Sequence, residues 1–285
     1  MKRPAKRFRS VKTSQAISNF ISIVLLLGMF SLSMIPVVIM FIRSWKTLPQ
    51  VGRSQIFPTL PFHYGNYIEA WELVRQYLVN TVFIVLMTVV GVLLLSSISA
   101  YVFARYKFPG KNFFFAMIMA LLMIPGVIGF VPSIVLVLKT FGLSNNYLGV
   151  LLPYWAGGQV FAIYILRTFF ESLPEEMFEA ARLDGAGHFD LYWRITLPLS
   201  GPILSVIAIL NIISTWNDYV WPLIVLTQES KRPIAVGLTF LRDTKMPAPG
   251  VEMASYVIAS IPMFILFLLT MKTFVRGIAA GAIKA

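Results

Sequence analysis

Six apolar runs, each long enough to cross a hydrocarbon layer of ~30 Å as a helix, constrain this 285-residue chain more than any other feature. They lie at about 17–42, 78–103, 113–138, 147–170, 202–226 and 253–275. A backbone in lipid must satisfy its own N–H and C=O groups, so these runs predict helices. The expected fold class is all-α, a polytopic membrane protein with six transmembrane helices forming one domain over 1–285. The stretches between the runs are too short for a soluble catalytic domain, and no paired nucleophile and base or catalytic carboxylate pair is found. No enzyme activity is therefore expected of the chain.

Two of the runs are interrupted in ways that matter. Residues 113–138 hold Pro125, Gly126, Gly129 and Pro132, and 147–170 hold Pro153, Gly157, Gly158 and the amide Gln159. Such breaks are tolerated at depth only where neighbours or a cavity satisfy the freed backbone, so both helices are expected to line the interior. The fifth run carries Asn211 and then Asn217 and Asp218 among Trp216, Tyr219 and Trp221. Polar groups are costly in lipid, which makes Gln159, Asn211, Asn217 and Asp218 candidates for a translocation path. The plainer alternative, preferred for the fifth run, is an interfacial aromatic belt with Asn217 and Asp218 fixing interhelical packing.

Charge sets the orientation. A formal net charge of +12 is compatible with nucleic acid, but basic residues collected on one membrane side explain it, and no nucleic-acid partner is expected. Fifteen of the 24 Lys and Arg residues fall in the tail 1–16, the turn 104–112, around 171–200 and at the C-terminal end. Nine fall opposite, in the stretches 43–76 and 227–250 and at Lys139, which are expected to be external. Both termini and 171–200 are thus placed in the cytoplasm. The basic tail is not expected to start a signal peptide, because the apolar run after it is far longer than ~7–15 residues, and that run is read as a retained first membrane helix. The chain has no cysteine, and its histidines, His63 and His188, stand in different loops, so no metal site is expected.

The stretch 171–200 is charged and amphipathic between two apolar runs. Ser172 with Glu175 spells a capping box and Pro174 suits a first turn, so a helix is expected from near Leu173. Met177, Phe178, Ala181 and Leu183 form its apolar side, and Glu175, Glu176, Glu179 and Arg182 carry charge. Taken alone, Glu179 is a solvated partner of Arg182 at i, i+3. The run 184–187 permits a turn, and a second helix from His188 is expected to put Phe189, Tyr192 and Trp193 on one face, with Pro198 closing the loop.

Seven positions here have fixed spacing: Glu179, Ala180, Ala181, Gly185, Ile195, Leu197 and Pro198. The pattern E-A-A-x3-G-x9-I-x-L-P resembles the cytoplasmic loop of membrane subunits of ABC importers. Asn80-Thr81, Ile124-Pro125, Gly142 to Asn145, Trp216 to Tyr219 and the Gly277 to Ala285 tail are similar to the carbohydrate branch. Within it the chain resembles the shorter of two unlike permeases in maltose-type importers.

That resemblance implies a type I importer-like bundle in the cytoplasmic (inner) membrane of a bacterium. Its partners would be membrane lipid, a second homologous permease, two nucleotide-binding ATPase subunits and an extracytoplasmic sugar-binding protein. Glu179, Ala180, Ala181, Asp184, Gly185 and Ala186 would couple to an ATPase, the tail after Arg276 would reach the same interface, and 227–250 would face the binding protein. No cofactor would be held by this chain, with ATP and Mg on the ATPase subunits, and no glycine-rich phosphate loop is found in the sequence. The rival class is an ion-gradient-driven secondary transporter or channel, which calls for mid-membrane ionisable residues and often repeated halves, whereas the centres of the six runs are almost free of charge and no internal repeat is evident.

Overall fold

The computed structural model describes residues 5–282, and side chains over 18–271. Helices dominate, and no strand occurs among the described residues. The chain divides into two compact units, residues 1–72 with 246–258 and residues 73–245 with 259–285.

In the first unit, helix α1 (Ala5–Ser44) begins inside the stretch expected as a free basic tail. Lys2 and Arg3, and the side chains of Lys6, Arg7, Arg9 and Lys12, lie outside the described residues. No residue in the most apolar window of Ser18–Ser44 is buried. The stretch 43–76 is more ordered than an external loop. Trp45 packs against Phe41, Phe62, Tyr64 and Tyr67, and short α2 (Leu48–Arg53) follows. The buried Lys46 ammonium donates to the carbonyls of Ser54 and Phe57, which holds the segment closed. The amphipathic piece 67–77 is not a separate interfacial helix: it is the first part of α3 (Gly65–Arg105), which continues without a proline into the second apolar run.

In the second unit α3 is the longest core element. Val74, Tyr77, Thr81, Ile84, Thr88, Val92, Ser96 and Ala100 recur every three or four residues and are buried, one face of a 3.6-residue repeat. The third run is not one straight span. It is α4 (Lys111–Met123) and α5 (Gly126–Ile134), the latter extended by a π turn to Thr140, with 94° between the two parts. Pro125 has no N–H to donate and forces Ile124 out of helical geometry, to φ −83°, ψ 119°.

Helix α6 (Tyr147–Glu171) is continuous, starting on Asn146, whose side chain accepts from the Leu148 N–H. The stretch expected to be cytoplasmic folds as α7 (Glu175–Leu183), α8 (His188–Asp190), a π turn at Leu191–Thr196 and α9 (Leu197–Leu199). A 73° bend separates His188–Leu199 from α10 (Gly201–Asn217).

The fifth run also breaks, at extended Asp218, before α11 (Val220–Val225). The expected external stretch 227–250 contains α12 (Ile234–Thr244). Helix α13 (Pro249–Ala282) runs through residues expected as a C-terminal tail, and 283–285 lie outside the described residues. Among the described residues, four helices are long and apolar enough to cross a membrane, or up to six if each bent pair counts as one span.

Candidate functional site

Helix α7 is too short to be stable alone, so its position is set by what it rests on. Phe178 is fully buried, 0% exposed, in a cluster with Leu166 and Phe170 of α6, Leu191 and Tyr192 of the following π turn, and Tyr101 of α3. Ala181 and Ala186 lie half-buried against the same cluster. The opposite face carries Glu176, Glu179 and Ala180, all exposed, and Leu183, which is 90% exposed. Leu183 was expected on the packed side; three residues from Met177 to Ala180 to Leu183 instead line up toward solvent, because Phe178 and Ala181 alone meet the core.

The helix does not start as the capping-box pattern suggests. Ser172 Oγ donates back to the Phe169 carbonyl, and Pro174, at the cap itself, leads into Glu175. Glu175 is engaged elsewhere, by the guanidinium of Arg105 at the end of α3 and by Arg182 at 3.3 Å. Arg182 therefore pairs with Glu175 and not with Glu179, which forms no ion pair among the described residues.

The end of α7 is set by Gly185. Its N–H donates to Arg182 O (3.0 Å) and the Ala186 N–H to Ala181 O (2.9 Å), the paired bonds of a Schellman motif. Gly185 has φ +86°, a conformation in which a Cβ is strained. This explains physically why a glycine stands at the fourth position after the two alanines. Beyond it lies an open groove of about 480 Å³ lined by Ala181, Asp184, Gly185, Ala186, Arg194 and Asp190, the last two ion-paired at 3.1 Å.

Phe189, Tyr192 and Trp193 do not share one face. Phe189 and Trp193 stack nearly parallel in solvent, while Tyr192 turns inward to share a 2.8 Å hydrogen bond with Ser97. The π turn over Leu191–Thr196 shifts the helical phase here, so the expected i, i+3, i+4 grouping fails.

Arg105 is the residue that sequence reasoning passed over, counting it only as a charge in the basic turn. Its side chain is 9% exposed and stacks over the Phe178 ring at 3.8 Å. Nη2 donates to the carbonyls of Phe170 (2.7 Å), in the last turn of α6, and of Leu173 (3.0 Å), just beyond it. A basic group at a helix C-terminus is a familiar signal, but this one comes from another helix 65 residues earlier in the chain.

The four polar candidates of the membrane runs divide. Asp218 Oδ2 accepts from the Tyr154 hydroxyl at 2.8 Å, and Oδ1 from the Trp221 N–H at 3.3 Å. Trp221 Nε1 donates to Gly149 O. Asp218 thus joins α6 to the break between α10 and α11. One turn further along α6, Gly158 lies against Asn211, where a Cβ would sit 2.7 Å from Oδ1, while Asn211 Nδ2 donates to Ile207 O. Asn217 donates to Ile213 O of its own helix and is exposed, and Gln159 is half-buried. Asn211 and Asp218 face α6 at successive turns; among the described residues, no hydrogen bond between helices draws Asn217 or Gln159 into that seam.

A sequence profile described as "Binding-protein-dependent transport system inner membrane component" matches residues 92–283, which include the whole of α6 to α12. The chain is 37% identical to the probable ABC transporter permease protein YurM of Bacillus subtilis, over 78% of this chain and 74% of that one. It is 36% identical to the arabinooligosaccharides transport system permease protein AraQ of Halalkalibacterium halodurans, over 72% of each. It is 34% identical to the sn-glycerol-3-phosphate transport system permease protein UgpE of Yersinia pestis, over 70% of this chain and 71% of that one. Among solved structures, a chain of a bacterial ABC transporter involved in the import of the acidic polysaccharide alginate aligns with TM-score 0.79 and 26% identity, covering 91% of this chain and 97% of that one.

Proposed function

The chain belongs to the family of binding-protein-dependent transport system inner membrane components, and from that footing we propose that it forms one half of the membrane passage of an ATP-driven sugar or oligosaccharide importer. The other half is a homologous, different permease, and ATP with Mg is bound and hydrolysed on two separate cytoplasmic subunits. An external binding protein selects the sugar. The relatives named above take unlike solutes, arabinooligosaccharides and sn-glycerol-3-phosphate among them, which fits selection lying outside a shared permease fold. The protein sits in the cytoplasmic membrane with both termini and α7 on the inner side, a placement supported by the bias of basic residues.

The observation that carries the coupling role is the way α7 is presented. A buried Phe178 holds it down, and Leu183, Ala180 and Glu179 stand outward on one face. An apolar knob, a small residue and an exposed carboxylate with no ion pair among the described residues, in consecutive turns, suit a cleft with an apolar pocket and a basic side chain. The ATPase supplies that cleft, and Asp184, Gly185 and Ala186 set the angle at which the helix enters it. Closing of the ATPase pair on ATP then biases the membrane bundle between two packings.

The test is to purify the tagged chain in mild detergent and identify its companions by mass spectrometry, then to measure uptake of arabinooligosaccharides, diacetylchitobiose, maltose and sn-glycerol-3-phosphate. Recovery of an ATPase and a second permease is expected, and Glu179→Ala or Gly185→Asp should lower uptake while insertion persists. Recovery of the chain alone, or normal uptake with both variants, overturns the proposal.

A further inference from the structure

Helix α3 holds the cytoplasmic loop at one end and an external segment at the other. At its inner end Arg105 binds Glu175, Phe170 O, Leu173 O and the Phe178 ring. Ser97 and Tyr101 meet Tyr192, and Tyr106, just past the helix, packs on His188 at 5.0 Å. Both halves of the loop, α7 and the α8 turn, therefore rest on the same last turns of α3.

Its outer end is equally engaged. Asn80 Nδ2 donates to Ser230 O (2.8 Å) and Arg232 O (3.0 Å), Tyr77 to Glu229 (2.8 Å), and Thr81 Oγ1 accepts from the Ile234 N–H at 2.7 Å. The ring of Tyr77 also lies against Gly237 of α12, where a Cβ would stand 2.4 Å away. Between Asn80 and Arg105 the helix has no proline and rises roughly 1.5 Å per residue, about 37 Å in all. Its one interior glycine, Gly91, is closed off by Trp155, whose Nε1 donates to Met87 O. With neither a proline nor a π turn between Asn80 and Arg105, this stretch lacks those causes of a sharp kink and can shift as one continuous hydrogen-bonded element.

We propose that Arg105 is a positioning residue that ties displacement of α7 to α3, so that α3 carries the displacement across the membrane to residues 229–234. This rests on the docking of α7 with an ATPase given above. Arginine suits the task because a planar fork reaches a carboxylate and two carbonyls together, whereas a lysine is a single point of charge. Without it, the carbonyls of Phe170 and Leu173 lose their guanidinium donor, the former keeping only backbone donors such as the Leu173 N–H at 3.4 Å, and Glu175 retains Arg182. The tie between α7 and α3 then weakens on the order of tenfold or more as an equilibrium.

The chain is free of cysteine, so Ser230→Cys places a single thiol reporter at an exposed position whose hydrogen bond to Asn80 uses only the backbone. The importer, assembled with its partners in nanodiscs, is treated with a maleimide with and without Mg-ATP and vanadate, and labelling at position 230 of this chain is read by mass spectrometry. Nucleotide should change the labelling rate when Arg105 is present, and Arg105→Gln should shrink that change on the order of tenfold, with Arg105→Lys in between. If Arg105→Gln fails to reach the membrane, Arg105→Lys combined with Glu175→Gln serves in its place. An equal nucleotide-dependent change in parent and variant, or none in the parent, overturns the proposal. Leu183→Asp separates the two ideas: if it leaves recovery of the ATPase unchanged, the docking of α7 fails. If it abolishes recovery while Arg105→Gln leaves the response at position 230 intact, the role of Arg105 alone fails.

Discussion

Phe178→Ala should release α7 from the protein while leaving the membrane helices in place. Phe178 is fully buried between Leu166, Phe170, Leu191 and Tyr192, with the Arg105 guanidinium over its ring at 3.8 Å. Truncating a buried phenylalanine costs about 3–5 kcal/mol in transfer and cavity terms, and the lost cation–π contact adds about 0.5–2 kcal/mol. A nine-residue helix has almost no stability of its own to set against this. The loss therefore falls on the local equilibrium between docked and open α7, and about 3 kcal/mol shifts it on the order of a hundredfold. Hydrogen exchange followed by mass spectrometry, on the protein in nanodiscs, reads this directly through amides of residues 179–186. Their exchange should accelerate by about that factor, while peptides from α6 and α10 keep their protection, and Phe178→Leu should fall well short of the same effect. Unchanged protection over 179–186 in Phe178→Ala would show that the ion pairs of Glu175 hold the helix, and the packing argument would be wrong.

Gly185→Ala should cost about 1–2 kcal/mol through its left-handed conformation, seen as faster exchange at residues 185 and 186, and Gly185→Asn should cost less. Asp218→Ala removes the acceptor of the Tyr154 hydroxyl and of the Trp221 N–H, so the melting temperature should fall by an amount matching about 1–3 kcal/mol; a variant of normal stability and impaired uptake would instead mark Asp218 as part of the solute path. Lys245, and then Tyr77, hold the Glu229 carboxyl below its usual value of 4.5 by hydrogen bonds. That contact is present above pH 4.5 and is lost as the pH falls through the lowered value, so protection factors over 227–234, corrected for the intrinsic pH dependence of amide exchange, should fall on acidification below 4.5 and stay constant in that range with Glu229→Gln. The pair is nearly half exposed on both sides, so the effect should be small.

The helical membrane class was open to reading because it follows from composition within single segments. An apolar run of sufficient length has few alternatives in lipid, and the break at Ile124–Pro125 follows from a missing N–H and a local clash. The turn at Gly185 was equally local. What escaped was every feature that depends on a second segment. Glu175 looked like a capping partner of Ser172 until Arg105 claimed it, and Leu183 looked like a core residue although it is almost wholly exposed. The helical phase of Phe189, Tyr192 and Trp193 depended on a π turn stabilised by the burial of Leu191 and Tyr192, which no periodicity within the segment reports.

By itself, then, the order of residues determined where the chain must be helical, where it must break and which stretch is charged enough to leave the membrane, because propensity, proline sterics and hydrophobic length act over a few residues. Only the tertiary structure decided that α3 underlies both halves of the 171–200 loop, that Arg105 closes the end of α6, and that Asp218 joins α6 to α10. Those contacts join residues 64 to 95 positions apart, and their partners are chosen by which helix faces meet in space.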